Sequence, residues 1–364
     1  MDYLRFISPL TQFYQLPELF PLESGAVLEG VQIAYRTWGK LNGTGDNAIL
    51  VCHAFTGWAD LEDWWNPLLG TERTFDPEQD FIVCSNILGS CYGTTGPTSI
   101  NPQTSQAYGP TFPEISIRDM VHLQAQLVKA LGIHSLRLVI GGSLGGMQVL
   151  EWALLYPKWV QAIAVIAASG RHSAWCIGLS EAQRQAVYAD PFWQNGYYSP
   201  ENPPNRGLRV ARMIAMTTYR SWPSFREKFG RQTQAEKEFT IASYLNYQGD
   251  KLIERFDANT YITLTHAMDR HDVTRPNLSY EAVLQSISQP TLIIAIDSDI
   301  LYPVVEQQEL AALIPQAELV FLESHHGHDA FLMDMEALNQ LLLTFQSQII
   351  ANNYAESQPN SYYL

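Results

Sequence analysis

The chain has 364 residues, 46% of them hydrophobic and 16% charged, so it can bury a large core in one α/β domain or in a core with an inserted subdomain. Its formal net charge of −15 argues against a protein that binds nucleic acid or an anionic membrane, because both functions need a basic surface. Residues 1–6 lack the pattern of a signal peptide, and no apolar run approaches the ~20 residues of a membrane span, so we expect a cytoplasmic protein.

Short apolar runs rich in β-branched residues alternate with helical stretches along the chain. The predicted strands are 48–52, 81–84, 136–140, 162–167, 291–296 and 319–322. The segment 117–131 has apolar residues at helical spacing, with Gln124 as the one polar interruption of that face, and is predicted as a helix that packs on the sheet. This alternation is typical of a mostly parallel, doubly wound sheet, so we predict an α/β fold.

A glycine-rich stretch at 86–97 follows the second predicted strand. It lacks the Gly-Lys-Ser/Thr ending of a P-loop, and no G-x-G-x-x-G pattern follows the first strand, so we expect neither a nucleotide nor a dinucleotide site. We interpret the stretch as a turn-rich loop that shapes the wall of an active site.

The stretch 136–157 is predicted as an apolar strand, a sharp turn and a helix. The turn reads Gly-Gly-Ser-Leu-Gly at 141–145 and matches G-x-S-x-G, the pattern that holds a serine in a strained, exposed conformation between strand and helix. Ser143 is therefore the candidate nucleophile. The alternative is a serine that only caps the helix, and the order of the other candidate residues along the chain favours the nucleophile.

The strand pattern disappears between 175 and 286, where the chain is rich in Trp, Tyr, Arg and Gln. We predict that 175–286 forms a helical lid inserted into a catalytic core made of 1–174 and 287–351. The proline-rich residues 200–204 favour a plain surface turn over a hinge. The polar residues 352–364 are predicted as a flexible tail.

Two aspartates follow the strand predicted at 291–296, and a histidine cluster follows the strand predicted at 319–322. Serine, acid and histidine in this order match the triad of the α/β-hydrolase fold. Loops at the carboxyl ends of a parallel sheet are also where open α/β folds place their chemistry. We choose Asp299 over Asp297 as the acid, although the spacing leaves both open.

His328 is the candidate general base, because Gly327 gives it a flexible approach and Asp329, directly after it, is where we predict the final helix to begin. We interpret His325 and His326 as groups around the site or on the surface. Three histidines and a carboxylate are also zinc-ligand types, but a zinc site leaves the serine motif without a role, so we expect no metal.

A serine nucleophile also needs backbone donors for the oxyanion. The first candidate is the N–H group of Leu144, directly after the nucleophile, and the second is that of Phe55 in the loop 53–57. We interpret His53 as a strand-end histidine with satisfied hydrogen bonds.

Several motifs together resemble the homoserine O-acyltransferase family of α/β-hydrolase-fold enzymes, and the likeness covers nearly the whole chain. The core motifs lie at 34–42, 53–57, 63–65, 86–97, 139–148, 298–303 and 327–332. The lid motifs lie at 171–176, 207–212, 219–221, 243–250 and 256–261.

The resemblance implies an α/β-hydrolase fold with Ser143 as nucleophile, Asp299 as orienting acid and His328 as general base. It also implies that a small set of residues holds the amino-acid substrate, with its carboxylate on Arg212 and its ammonium group on Asp329. Tyr219 and Thr56 are expected near these two residues. A guanidinium and a carboxylate suit those two charges.

The implied activity is acetyl transfer from acetyl-CoA, a cosubstrate, to L-homoserine for methionine synthesis, through a ping-pong mechanism with no resident cofactor. A homodimer joined through the lid is also implied. The chain departs from the common bacterial pattern at Phe55, 58–60 and 89–90, near the acyl and acceptor pockets. A succinyl donor or a serine acceptor therefore stays open, as does an esterase that uses water. A binding protein without activity is disfavoured, because all three triad residue types are present.

Overall fold

The computed structural model describes residues 3–234 and 237–357. Its strands are β1 (Gln12–Gln15), β2 (Phe20–Pro21), β3 (Val27–Leu28), β4 (Gln32–Gly39), β5 (Ala48–Cys52), β6 (Phe81–Ser85), β7 (Ile100–Asn101), β8 (Gln106–Ala107), β9 (Leu136–Gly142), β10 (Ile163–Ile166), β11 (Thr291–Ile296) and β12 (Ala317–Leu322).

The α-helices of the described residues lie on both faces of the sheet and in the long connection between β10 and β11. They are α1 (Glu62–Trp65), α2 (Ile117–Ala130), α3 (Leu144–Leu155), α4 (Ala174–Tyr188), α5 (Asn205–Tyr219), α6 (Trp222–Lys228), α7 (Thr240–Ile253), α8 (Ala258–Asp269), α9 (Tyr280–Gln285), α10 (Val304–Leu313) and α11 (Met335–Ser357).

The main sheet has eight strands in the order β1-β4-β6-β5-β9-β10-β11-β12. The strands from β6 to β12 in this order pair in parallel, whereas β4 is antiparallel to both β1 and β6. The predicted mostly parallel, doubly wound sheet is confirmed. Because parallel strands end at one edge, the loops after β5, β9, β11 and β12 lie at the same side of the sheet.

Alternate residues of the central strands enter two apolar cores, one on each face of the sheet. In β5, Leu50 packs into the core that includes α2 and α3, and Ile49 packs into the core that includes Trp65 and α11. Burial on both faces explains why these strands read as continuous apolar runs.

Helix α2 matches the helix predicted over 117–131. The polar residue on its apolar face, Gln124, has its hydrogen-bond partners within the core. Gln124 is buried, donates to Gln148 Oε1 at 2.8 Å and accepts from Trp152 Nε1 at 2.8 Å. A buried amide with both ends paired carries no desolvation penalty of the kind an unpaired one has.

The antiparallel strand β4 was not predicted, because a charged residue interrupts its apolar pattern. Arg36 is nevertheless buried, and its guanidinium pairs with the carboxylate of Asp60. Such a partner lies far away in the chain, so periodicity alone does not reveal that the charge is compensated.

Helices α4–α9 occupy the segment predicted as a lid, where α5 packs between α4 and α7. Residues 200–204 form a turn before α5. The final helix does not begin at Asp329 as predicted. Residues Gly327–Leu332 form a separate 3-10 turn, and α11 runs from Met335 to Ser357, into the predicted tail.

The last predicted tail residues, 358–364, lie outside the described residues. No helix within 3–234 and 237–357 is long and apolar enough to cross a membrane.

Candidate active site

Ser143 lies in the sharp turn between β9 and α3, with φ of 58° and ψ of −124°. A positive φ is strained for a residue with a side chain, and it is maintained by tight packing of the turn. A Cβ atom at Gly145 would lie 2.1 Å from the carbonyl oxygen of Cys52, so only glycine fits there. The Ser143 N–H group donates to the Ile166 carbonyl at 2.9 Å. This serine therefore does not act as a side-chain helix cap.

Asp299 and His328 follow β11 and β12 and meet at the end of the sheet. His328 Nδ1 lies 2.7 Å from Asp299 Oδ2, and the other carboxylate oxygen accepts the N–H groups of Leu301 and Tyr302 at 2.8 and 3.0 Å. With Nδ1–H donating to Asp299, Nε2 of the neutral ring is left as a base.

Burial alone would lower the pKa of His328, but the charge and hydrogen bond of Asp299 raise it above its usual value, with a smaller contribution from Asp329. The geometry also separates the two aspartates. Asp297 is exposed and accepts the N–H group of Ser324 at 2.9 Å, on the surface side of the loop.

Gly327 joins this loop to the lid. Its φ is +73°, and a Cβ atom there would lie 2.8 Å from the backbone of Arg220 and Ser221, at the start of α6. Gly327 was predicted to give His328 a flexible approach. The structure instead shows a close backbone contact at Gly327 that leaves no room for a side chain.

The other two histidines of the cluster point elsewhere. His325 lies 3.1 Å from Glu227 and is half exposed, and the closest His326 ring nitrogen is 4.0 Å from Asp334. Within the part of the chain that the structure describes, no group of three or more His, Cys, Asp or Glu side chains has the geometry of a metal site.

A cavity of about 170 Å³ between lid and core contains Ser143 and His328. Its other lining residues are Ala54, Phe55, Thr56, Gly57, Trp58, Trp64, Arg212, Tyr219, Arg255, Asp329, Phe331 and Leu332. The triad candidates Ser143 and His328 therefore share one space with the four predicted substrate-binding residues.

Two opposite charges face this cavity. The Arg212 guanidinium lies 5.2 Å from the ring centroid of Tyr219, whose ring is 5.9 Å from that of His328. Burial raises the pKa of Asp329, and the nearby Arg212 and His328 oppose that rise. A cation and an anion in one cavity are complementary to a zwitterionic ligand.

Phe55 and Leu144, the predicted oxyanion donors, are both buried at the serine. Leu144 is the first residue of α3, where an N–H group has no acceptor within its own helix. His53 has both ring nitrogens occupied, with Nδ1 2.8 Å from the Ala54 carbonyl and Nε2 accepting the Ile87 N–H group at 3.2 Å. Burial lowers the pKa of His53 to about 4, so it is a neutral structural residue as interpreted.

Arg255 was missed by sequence reasoning. It follows α7 in the lid, donates to the Thr56 carbonyl at 2.9 Å and to Thr56 Oγ1 at 3.4 Å, and also bonds to the Tyr92 hydroxyl. Its guanidinium lies 5.0 Å from the ring of Trp58. Arg255 therefore ties the lid to the loop that carries the Phe55 N–H group. Arg255 and Thr56 lie 199 residues apart in the chain, so sequence spacing did not predict their contact.

Comparisons with known proteins agree with this geometry. A family model described as alpha/beta hydrolase fold matches residues 47–334. A protein of Nostoc punctiforme named homoserine O-acetyltransferase is 69% identical over 347 residues, which cover 94% of this chain and 98% of that protein.

Two solved structures share the architecture. The homoserine O-acetyltransferase of Bacillus anthracis is 26% identical with a TM-score of 0.85, over 92% of this chain and 97% of that one. Esterase E22 is 27% identical with a TM-score of 0.84, over 92% of this chain and 99% of that one. The same fold therefore occurs under an acyltransferase name and an esterase name.

We expect Asp299→Asn to slow acylation of the serine by about 10³–10⁴-fold, as loss of the orienting carboxylate does in other triads. The variant also removes both effects of Asp299 that raise the pKa of His328. Because the base must be neutral, a lower pKa moves the rising limb of the pH–rate profile to lower pH. The measurement is the acylation rate with a chromogenic acetate ester across the pH range.

Asp297→Asn is the matched control. It should keep the acylation rate of the unaltered protein and the rising limb of its pH–rate profile at the same pH. If the rising limb of the Asp299→Asn profile stayed at the pH seen in the unaltered protein, the assignment of Asp299 as the partner of the base would be contradicted.

We expect Arg255→Ala to lower kcat by at least about tenfold with little change in KM, because it frees the loop that positions one oxyanion donor. Arg255→Lys should recover part of kcat, since an ammonium group can still donate to the Thr56 carbonyl. Steady-state kinetics measure kcat and KM separately. The control is Arg270→Ala, which removes a surface ion pair with Glu114. Equal kcat values in the Arg255 and Arg270 variants would refute the positioning role.

Proposed function

The chain belongs to the homoserine O-acetyltransferase family of α/β-hydrolase-fold enzymes, and we propose that it transfers acetyl from acetyl-CoA to L-homoserine through an acetyl-Ser143 intermediate. The observation that carries the proposal is the 69% identity to a protein of that name over nearly the full length of both chains. The cavity chemistry supports it, because nucleophile, base and two opposite charges line one space.

The first half-reaction forms the acetyl-enzyme. His328 takes the proton of the Ser143 hydroxyl, and Oγ forms a bond to the thioester carbon of acetyl-CoA. The carbonyl oxygen gains the negative charge and accepts the N–H groups of Phe55 and Leu144. The carbon–sulfur bond then breaks, the proton passes from His328 to the sulfur, and CoA leaves as a free thiol.

The second half-reaction reverses these roles with a new acceptor. His328 takes the proton of the homoserine hydroxyl, whose oxygen forms a bond to the acetyl carbon. The bond to Ser143 Oγ breaks, and His328 returns the proton to the serine. O-acetyl-L-homoserine is released, and no step draws on a resident cofactor.

Arg212 and Asp329 hold the acceptor in this scheme. The guanidinium takes the α-carboxylate in two parallel hydrogen bonds, and Asp329, directly after the base, takes the α-ammonium group. Tyr219 and Thr56 line the same cavity. Fixing both charges presents the side-chain hydroxyl to His328 and favours transfer over attack by water.

We also propose a homodimer joined through the lid. The exposed apolar side chains of the lid include Trp222 (69%), Tyr247 (56%) and Phe239 (43%). Trp222 borders a groove of about 420 Å³ with Phe225, Phe229 and Ile241, and Arg226 and Arg231 also line this groove. A surface that combines exposed aromatic side chains with arginines is typical of a subunit interface. The four free cysteines suit the reducing cytoplasm, where we place the reaction.

Release of free thiol from acetyl-CoA should depend on added L-homoserine and exceed release with L-serine, with water alone, or with succinyl-CoA as donor. Ser143→Ala should abolish acetyl-enzyme in intact-protein mass spectrometry. Arg212→Gln should leave that acetyl-enzyme intact while raising the homoserine KM at least about tenfold, because a hydrogen bond to a charged group contributes about 1.5–3 kcal/mol.

Thiol release that does not need an amino acid would replace the proposal with an esterase-like activity. A preference for serine or succinyl-CoA would keep the acyl-enzyme and refute the named substrates. Acetyl-enzyme in Ser143→Ala would refute the nucleophile.

Trp222→Glu should shift the protein from dimer to monomer in sedimentation velocity, because it replaces the most exposed of these three aromatic side chains with a charged group that must lose its hydration in the interface. The control is Ile350→Glu, an exposed apolar residue on α11. A monomer before substitution, or a dimer in the Trp222 variant, would contradict a dimer through this surface.

A further inference from the structure

A second, smaller cavity also reaches the serine. It has a volume of about 30 Å³ and shares Phe55, Ser143 and Tyr219 with the substrate cavity. Its remaining wall consists of His172 just before the lid, of Cys176, Leu179, Ser180, Gln183 and Met268 in the lid, and of Leu301 and Tyr302 in the loop after β11. Neither the base nor the two charged residues Arg212 and Asp329 belong to this wall.

The arrangement of groups around the reacting carbon indicates which group occupies this cavity. The tetrahedral carbon carries four groups, namely Ser143 Oγ, the oxyanion, the leaving or attacking group, and the acyl chain. The oxyanion faces the N–H groups of Phe55 and Leu144, and the leaving or attacking group must lie within reach of His328, in the larger cavity. The acyl chain is the group that remains, and the small cavity opens at the same serine.

The size of the cavity selects a short chain. One water molecule needs about 10–15 Å³ of such volume, so about 30 Å³ holds roughly two small groups. The carbon skeleton of an acetyl group is of this size. A succinyl chain is longer than acetyl by one methylene group and a carboxylate, which would require the wall to move.

The wall also contains no positively charged side chain that could pair with a carboxylate. Burial and the nearby Arg184 lower the pKa of His172 to about 4, so its ring is neutral near pH 7. The Nδ1 atom lies 3.3 Å from the Tyr302 hydroxyl, and Nε2, 3.7 Å from Asp269 Oδ1, has no hydrogen bond among the described residues. Arg184 is already paired with Asp269 at 2.7 Å.

We propose that this small cavity is the acyl compartment of the enzyme and that its size and neutral wall restrict the donor to short, uncharged acyl groups. The assignment to acyl-CoA donors rests on the proposed function. The compartment itself is tested with p-nitrophenyl esters, which acylate a reactive serine without CoA or homoserine. A failure of the proposed function is thereby distinguished from a failure of this proposal.

The test compares kcat/KM for nitrophenol release from p-nitrophenyl acetate, propionate and butyrate. Met268→Ala removes the thioether end of a buried wall residue, and Leu179→Ala does the same at a half-buried position that tolerates change more easily. Each variant should raise the butyrate-to-acetate ratio of kcat/KM at least about tenfold, since one methylene in an apolar pocket changes discrimination about 10–200-fold.

Met216→Ala is the matched control, because Met216 is buried in α5 of the lid and lines neither cavity. It should leave the ratio unchanged even if the protein loses stability. A ratio that moves equally in all three variants would overturn the proposal, as would a ratio that moves in none. Absence of reaction with every ester would overturn both this proposal and the role of Ser143. A shifted ratio in a protein that does not use acetyl-CoA would support the compartment and refute the proposed donor.

Discussion

The contact between the turn after β9 and the end of β5 governs the geometry of the candidate site. Gly145 lies so close to the Cys52 carbonyl that any side chain would collide with it. The contact keeps Ser143 in its left-handed conformation and holds it beside the loop that begins at His53 and carries the Phe55 N–H group. The candidate nucleophile and one candidate oxyanion donor are thus placed by one piece of backbone packing, to which the lid adds Arg255. Pre-set donors of this kind need no reorganisation when charge develops.

The charged groups of the site are buried or half-buried, so each of them depends on a partner. Buried carboxylates and imidazoles are costly unless each has a partner, and here Asp299 has His328 and two backbone N–H groups. Asp329 and Arg212 face one cavity, where burial and mutual attraction act against each other on the pKa of Asp329. A zwitterionic acceptor supplies the missing counter-charges to both, so acceptor binding and charge compensation are coupled in the proposed reaction.

The fold alone does not choose between transfer and hydrolysis, because an esterase shares it. In the proposed scheme the choice lies in what fills the two cavities at the serine. The larger one holds an acceptor by its charges and excludes water, and the smaller one limits the acyl chain. Both cavities have walls from the lid, so the reaction is directed by the segment of the chain with the weakest periodic pattern.

The chain by itself determined the alternating fold, the strand–turn–helix around Ser143 and the order of serine, acid and histidine, because these depend on neighbouring residues and on periodicity. It left Asp297 and Asp299 open, missed β4 and Arg255, and placed the final helix too early. Tertiary structure decided these points. The roles of Asp299, Arg36 and Arg255 depend on partners at His328, Asp60 and Thr56, which only packing brings near. A buried charge is explained by its partner in space, and spacing along the chain carries no record of that partner.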